Sequence, residues 1–543
     1  MIKLTIQHFK LVISSISILC LLLISFSCQQ NKTNDRDHLV FRYNEHANIT
    51  SLDPAFAKDQ RNIWAVHQLF NGLVEMDNNL NVIPSIAKSW TISEDAQTYT
   101  FTLRDDVQFH KHELFGKDST RTVNAFDFEY SFNRILDDKV ASSGRWIFKS
   151  VENFKAIDNK TFSINLKQPF PAFLSLLTMK YCSVVPKEIV EHYGNDFRAN
   201  PIGTGPFQFK IWEENTKLVL RRNPTYFEKD TTGNNLPYLE AVAITFLPDK
   251  QSEFLQFAQG NIDFLNSLDP SYQDELLNAA GTLRERYTST VHMISGPYLN
   301  TEYLGIFIGD STNVSSHHLL RKAMNYSFDR KKMITYLRSG IGTPAIHGFI
   351  PKGLPGFANI KGFDYDPELA QDLVNQYITE TGNTSPEVAI TTNGQYLNFC
   401  EYIQRELEKI GMKASVNVIP ASTLRELRSK GELSIFRASW IADYPDAENY
   451  LSLFYSKNFT PNGPNYTHFI HPQFDAWYEI ALRETDAKKR AELYTKMDSL
   501  LISEAPLVPL YYDQVVRFTQ KNVEGLGINA LNLLELKRVK KSK

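Results

Sequence analysis

Between residues 366 and 440 the chain alternates helix and strand in a rhythm that leaves few folds open. Asp366 and Pro367 form a cap followed by a first-turn proline, and Leu369, Leu373, Val374 and Tyr377 then recur on one helical face. Glu387–Thr392 reads as a strand. A helix carrying Phe399, Ile403, Leu407 and Ile410 comes next and stops at Gly411, and a strand at 414–419, a short helix and a strand at 433–440 complete the run. Such alternation predicts a parallel sheet covered by helices. Ligands of open α/β sheets bind outside the carboxyl ends of the strands. The last strand runs out through Trp440, Ile441, Ala442 and Asp443 into Tyr444, Pro445 and Asp446, where Pro445 cannot donate to a ladder and the aspartates favour a turn. Two readings stand at this point. Trp440 and Asp443 face a ligand, or the tryptophan plugs a core and the aspartates cap the next helix.

At 543 residues the chain exceeds one compact core, so two or three domains are expected. A formal net charge of −3 gives no reason to expect nucleic acid or a strongly charged substrate. The front end reads as targeting rather than fold. Lys3 and Lys10 precede an apolar run at 11–26, which ends in Ile24, Ser25, Phe26, Ser27 and Cys28 before polar residues begin. This resembles a lipobox, with Ser25 where leucine is usual. It implies a signal peptide at 1–27, lipid on Cys28 and a polar tether at 28–38. The competing reading is an uncleaved anchor, and the small Ser27 directly before Cys28 favours the lipoprotein. Of the other cysteines, Cys182 and Cys400 read as buried thiols, with a disulfide between them left open.

The body begins with a strand at 39–43, the Leu52-Asp53-Pro54-Ala55 segment, and an amphipathic helix through Ile63, Val66, Leu69 and Phe70 that Gly72 should close. Residues 97–167 alternate as antiparallel strands, with a turn at Asp158 and Asn159 and an N-capped helix in the stretch from Thr122 to Arg134 between them. His110 and His112 lack further ligands at metal spacing. Gly203-Thr204-Gly205-Pro206-Phe207 is not a phosphate loop, because Pro206 removes a donor and no Lys-Ser/Thr pair succeeds it. It reads as a tight turn. The loop at 340–345 fits G-x-G-x-x-A but comes after a helix and contains Pro344, so no dinucleotide site is expected. A hinge crossing is expected near Leu304–Ile308.

These elements together resemble the family 5 extracellular solute-binding proteins, the dipeptide, oligopeptide and nickel receptors of ABC importers. The resemblance rests on "LDPA…GL" at Leu52 to Leu73, "LR-x-x-V-x-F-H" at Leu103 to His110, and "S-x-x-R" at Ser131 to Arg134. It also rests on "GTGPF" at Gly203 to Phe207, "A-x-x-Y…D-R" at Ala323 to Arg330, "W-x-x-D-Y-x-D" at Trp440 to Asp446, and "AP-x-x-P-L-Y" at Ala505 to Tyr511. It covers about residues 39 to 538. It implies an α/β, two-lobed periplasmic-binding-protein-like fold (type II, cluster C) with an extra α+β domain inserted in the first lobe. Lobe I would comprise 39–80, 201–300 and 505–543, the inserted domain 81–200, and lobe III 301–504.

The resemblance also implies a site. Asp443 would pair with a peptide's α-ammonium, Ser439 and Ile441 beside Trp440 would hydrogen-bond its backbone, and Asn71, Gly72 and Val74 would line the cleft from the first lobe. Ser439 replaces the usual glycine, Ala447 the usual proline, and Asn71 a carboxylate common in peptide binders. The function implied is an extracytoplasmic receptor, monomeric, tethered by lipid to a membrane and delivering peptide to a permease and its ATPase. No cofactor, metal or nucleic acid is implied. Nickel complexes, heme and oligosaccharides remain alternative ligands, and ligand sensing an alternative role. An exported peptidase is disfavoured, since G-x-S-x-G, H-E-x-x-H and catalytic-cysteine signatures are all missing from the sequence.

Overall fold

The computed structural model describes residues 39–543. The signal peptide expected at 1–27, Cys28 and the expected tether at 28–38 lie outside the described residues. The main sheet runs in the order Lys413–Val418, Glu387–Thr392, Ile435–Ile441, Val291–Ile306, Leu507–Gln520, Phe264–Asn266, Val40–Asn44, Ala241–Thr245, Lys217–Arg222 and Phe207–Glu213. The first three strands are parallel, as the βα alternation requires. On the other flank of Ile435–Ile441 the pairing turns antiparallel, so the sheet is mixed rather than parallel throughout. The physical reason is that Val291–Ile306 enters from the other half as one continuous strand and needs no crossover helix.

That strand and Leu507–Gln520 pair from Val291 opposite Gln520 to Gly305 opposite Leu507, with a register shift between Pro297 and Thr301. One end of Leu507–Gln520 also pairs with Phe264–Asn266, while Asn300–Ile306 pairs with the strand that ends at Ile441. The passage between the two halves therefore lies at 297–300, upstream of the crossing expected at Leu304–Ile308.

A second, four-stranded antiparallel sheet has the order Ala87–Ile92, Thr98–Leu103, Thr161–Leu166 and Val151–Ala156. Tyr99, Phe101 and Leu103 are buried and the alternate threonines are not, which is the expected period of two. The helix Ala125–Leu136 starts at a capping box of Asn124 and Asp127 and packs Phe128 and Phe132 onto Phe162. In Pro367–Thr381 the buried residues are Ala370, Val374 and Tyr377, and Leu369 is exposed. Positions 370, 374 and 377 share a face, whereas Leu369 points about 100° away from Ala370. Cys182 and Cys400 are separate, buried thiols, and burial pushes the Cys400 thiol up to about 11.

Two of the sequence elements meet at a buried ion pair. Arg134 donates from Nη1 and Nη2 to Asp53 at 3.0 and 2.5 Å, joining the helix beside the second sheet to the Leu52–Ala55 segment. The two side chains are 11% and 3% exposed. Removing one member of a buried pair leaves the other charge uncompensated. Arg134→Met should therefore cost ~3–5 kcal/mol in urea unfolding. The exposed pair of Arg145 and Asp138 should cost ~0–1 kcal/mol when Arg145 is replaced in the same way.

His110 is a brace. Its Nε2 donates to the Gly205 carbonyl at 3.0 Å and its Nδ1 accepts from the Gly203 N–H at 3.3 Å, while His112 Nε2 meets the Tyr193 hydroxyl at 3.0 Å. The glycines are needed for close approach, since a Cβ on Gly203 would lie 2.1 Å from the Leu69 carbonyl. Burial holds His110 neutral, with its pKa pushed down to about 4. Between that value and about 6.5 the unfolded chain binds the proton and the folded chain does not, so stability falls as pH drops through this window. His110→Gln should flatten the dependence of the urea midpoint on pH between 6.5 and 4.

Candidate functional site

The site is built around the carboxyl end of Ile435–Ile441. The Ala442 N–H bonds to the Leu299 carbonyl at 2.8 Å and the Phe307 N–H to the Ser434 carbonyl at 2.9 Å. In an antiparallel ladder the bonded positions alternate, so even-numbered residues address Val291–Ile306. The backbone groups of Arg437, Ser439 and Ile441 are therefore directed to the opposite edge. There Glu387–Thr392 pairs only with Ile435 and Phe436. The edge beyond Phe436 is free of strand partners among the described residues.

Asn449, from the short helix Glu448–Leu451, fixes the turn at the end of this strand. Its Oδ1 accepts from Trp440 Nε1 at 2.8 Å and from the Asp443 N–H at 3.2 Å, so strand end and turn are held by one side chain. Asp446, one residue ahead of the helix N-cap Ala447, accepts from the Glu448 N–H at 2.9 Å and from the Tyr494 hydroxyl at 2.7 Å. Glu448 accepts from the hydroxyls of both Tyr444 and Tyr478. Trp440 is half-buried rather than sealed in a core.

The Asp443 carboxylate takes a hydrogen bond from Asn449 in this network but no ion pair. It lines a cavity of about 350 Å³ with Ile441, Ala442, Tyr298, Trp64, His67 and Lys180, and a second of about 600 Å³ with Trp146, Phe170, Trp440 and Tyr444. The carboxylate is open to these cavities, yet protein crowds it closely. That desolvation raises its pKa above the usual carboxylate range, opposed by the hydrogen bond from Asn449. Among the described residues no cation lies within ion-pair distance of it.

The first-lobe residues sit differently. The helix Gln60–Leu69 ends before Phe70, which is already extended and whose N–H reaches the Val66 carbonyl, so Gly72 is not its cap. Asn71 consequently turns inward, accepting from the Thr204 hydroxyl at 3.0 Å and donating to the Tyr226 hydroxyl at 3.4 Å. Gly72 bridges to Ser183, and a Cβ there would lie 3.1 Å from the Cys182 carbonyl. Val74 is in the core of the second sheet. All three are buried behind the cleft, and Glu75 and Met76 face the cavity in their place. Glu75 and Glu535 belong to a buried charge cluster: Lys537 reaches Glu75 at 2.9 Å and Glu228 at 2.8 Å, and His67 meets Glu535 at 3.2 Å.

The model of the bacterial extracellular solute-binding proteins, family 5, matches residues 81–462. The chain belongs to that family. It is 24% identical over 488 residues to the glutathione-binding protein GsiB of Salmonella typhimurium, covering 89% of this chain and 90% of that protein. Among solved structures it is similar to the ABC transporter-associated periplasmic binding protein DppA of Helicobacter pylori in complex with the peptide STSA. That match has a TM-score of 0.77 and 24% identity and covers 93% and 98% of the two chains. A dipeptide-binding protein of Pseudoalteromonas sp. SM9913 in complex with Met-Leu matches with a TM-score of 0.76 and 21% identity, over 93% and 100%. The fold is thus that of the two-lobed family 5 receptors. This chain binds a solute outside the cytoplasm.

Lys180, Glu75, His67 and Glu535 line the smaller cavity of this family 5 protein, and no motif in the sequence singles them out. One signal for Lys180 is present: it stands alone in the apolar stretch from Leu176 to Val185. The network around Asn449 is directly testable. Asn449→Ala leaves the Trp440 indole N–H without its acceptor, and urea unfolding should show a loss of ~1–3 kcal/mol.

Proposed function

We propose that this chain is a lipid-anchored, monomeric receptor that closes over a peptide with a free amino terminus and delivers it to the permease and ATPase of an ABC importer. The observation that carries the reading is Asp443, a crowded carboxylate open to a cavity and faced by no cation among the described residues. An incoming ammonium supplies the missing charge through a charge-assisted bond contributing ~1.5–3 kcal/mol. The free edge at Ser439 and Ile441 supports the same ligand, since an extended peptide adds to such an edge as a strand. The relatives bound to STSA and to Met-Leu, and the glutathione-binding relative, point in the same direction. The lipid is assigned to Cys28 after removal of residues 1–27, with 28–38 as the tether. The lobes are assigned as 39–80, 201–300 and 505–543 against 301–504, with 81–200 inserted.

Asp443→Asn keeps the shape of the cavity and removes the charge. For peptides with a free N-terminus it should weaken binding by about a hundredfold or more, since breaking a desolvated charge pair costs ~2–5 kcal/mol. An N-acetylated peptide already lacks the ammonium, so its affinity should barely change. Calorimetry with both peptides on both proteins closes the cycle. Equal losses for the two peptides would reduce Asp443 to a shaping role, and no loss for either would remove it from the site.

A further inference from the structure

Of the charged side chains that line the cavity of about 350 Å³, all but Lys180 are committed to a partner or open to solvent. Glu75 is held by Lys537, Glu535 by His67 with Lys537 at 3.9 Å, and Asp59 caps the helix Gln60–Leu69 and lies 3.5 Å from Arg61. Lys58 is exposed. Asp443 is open to the cavity and faces no cation, and Lys180 is the buried charge of the lining left without a partner among the described residues.

Lys180 is 9% exposed, in the turn Lys180–Cys182, and its ammonium has neither a hydrogen-bond acceptor nor an ion-pair partner among the described residues. Burial pushes its pKa below the usual lysine value, with Glu75 and Glu535 opposing that from beyond contact distance and Lys537 adding to it. A buried ammonium without an acceptor is costly, and a ligand carboxylate would satisfy it. Asp443 enters from the strand end in one half of the main sheet and Lys180 from the segment beside the second sheet, so a ligand held by both bridges the two sides.

We infer that Lys180 receives the carboxylate of the bound peptide, so that the smaller cavity selects a zwitterion, a short peptide with both termini free. This rests on the peptide reading of the site. A volume of about 350 Å³ lies at the small end of the ~300–1,000 Å³ usual for ligand pockets, which agrees with a short ligand. The larger cavity, reached past Asp443 and lined by Trp146, Phe170 and Trp440, is left for side chains.

The test uses the full chain in mild detergent and three mixed tripeptide pools: free termini, C-terminally amidated, and N-acetylated. The peptides retained after rapid desalting are quantified by mass spectrometry. The wild type should retain the free-terminus pool over the amidated one by about tenfold or more. K180M should bring that ratio close to one and leave the penalty for N-acetylation unchanged, while K180R should restore part of the preference. Ligand-free K180M should melt no lower than the wild type, because the ammonium it loses had no partner. A K180M protein that still prefers free carboxylates overturns the assignment and leaves the peptide reading standing. So does one that fails to fold or melts lower, since the ammonium would then be a structural element. A wild type that retains none of the pools overturns the peptide reading and this inference with it.

Discussion

Both halves of the main sheet hang from one antiparallel pair, Val291–Ile306 and Leu507–Gln520. Every other strand of that sheet is joined to this pair by an unbroken succession of strand pairings. The register shift between Pro297 and Thr301 falls where the pair leaves one half for the other. Buried charges surround that passage. Asn300 donates to both Glu302 and Asp513, Glu302 takes a bond from Arg437 on the site strand, and Asp513 is held by Arg338 at 2.5 Å. Ion pairs in such surroundings add little net stability over apolar packing, but each defines one geometry. Here they link the long pair to the strand that ends in the site.

The same physics works in the opposite sense in the cleft. A packed core leaves almost no buried polar group unsatisfied, and most charges near the cavity obey that rule through Lys537, His67 and Asn449. Lys180 does not, and Asp443, though bonded by Asn449, has no counter-charge among the described residues. Leaving charges unpaired costs the empty protein stability and reserves their strongest interaction for a ligand. Water can reach Asp443 from the cavities, which moderates the cost. Closing on a ligand would exclude that water and strengthen the new bonds.

The parts legible in the sequence were those set by near neighbours. The cap at Asp366, the strand Glu387–Thr392, the helix closed by Gly411 and the break after Ile441 arise from side-chain periodicity and from Gly and Pro chemistry, which act over a few residues. The Leu52–Ala55 and Ser131–Arg134 segments were recognisable as motifs. That they meet in an ion pair between Asp53 and Arg134 was not visible until the chain was folded.

The errors have the same origin. Gly72 looked like a helix cap, but the carbonyl of Leu69 is needed by Gly205, and that contact ends the helix early and turns Asn71 inward. The sequence by itself determined the class of fold, the βα half and the position of Asp443 at a strand's end, because propensity and pattern are local properties. Only the tertiary structure decided which charges are paired, which backbone edge is open and that Lys180 faces the cavity lined by Asp443. Desolvation and ion pairing depend on distances between segments that lie far apart along the chain, and no local pattern encodes them.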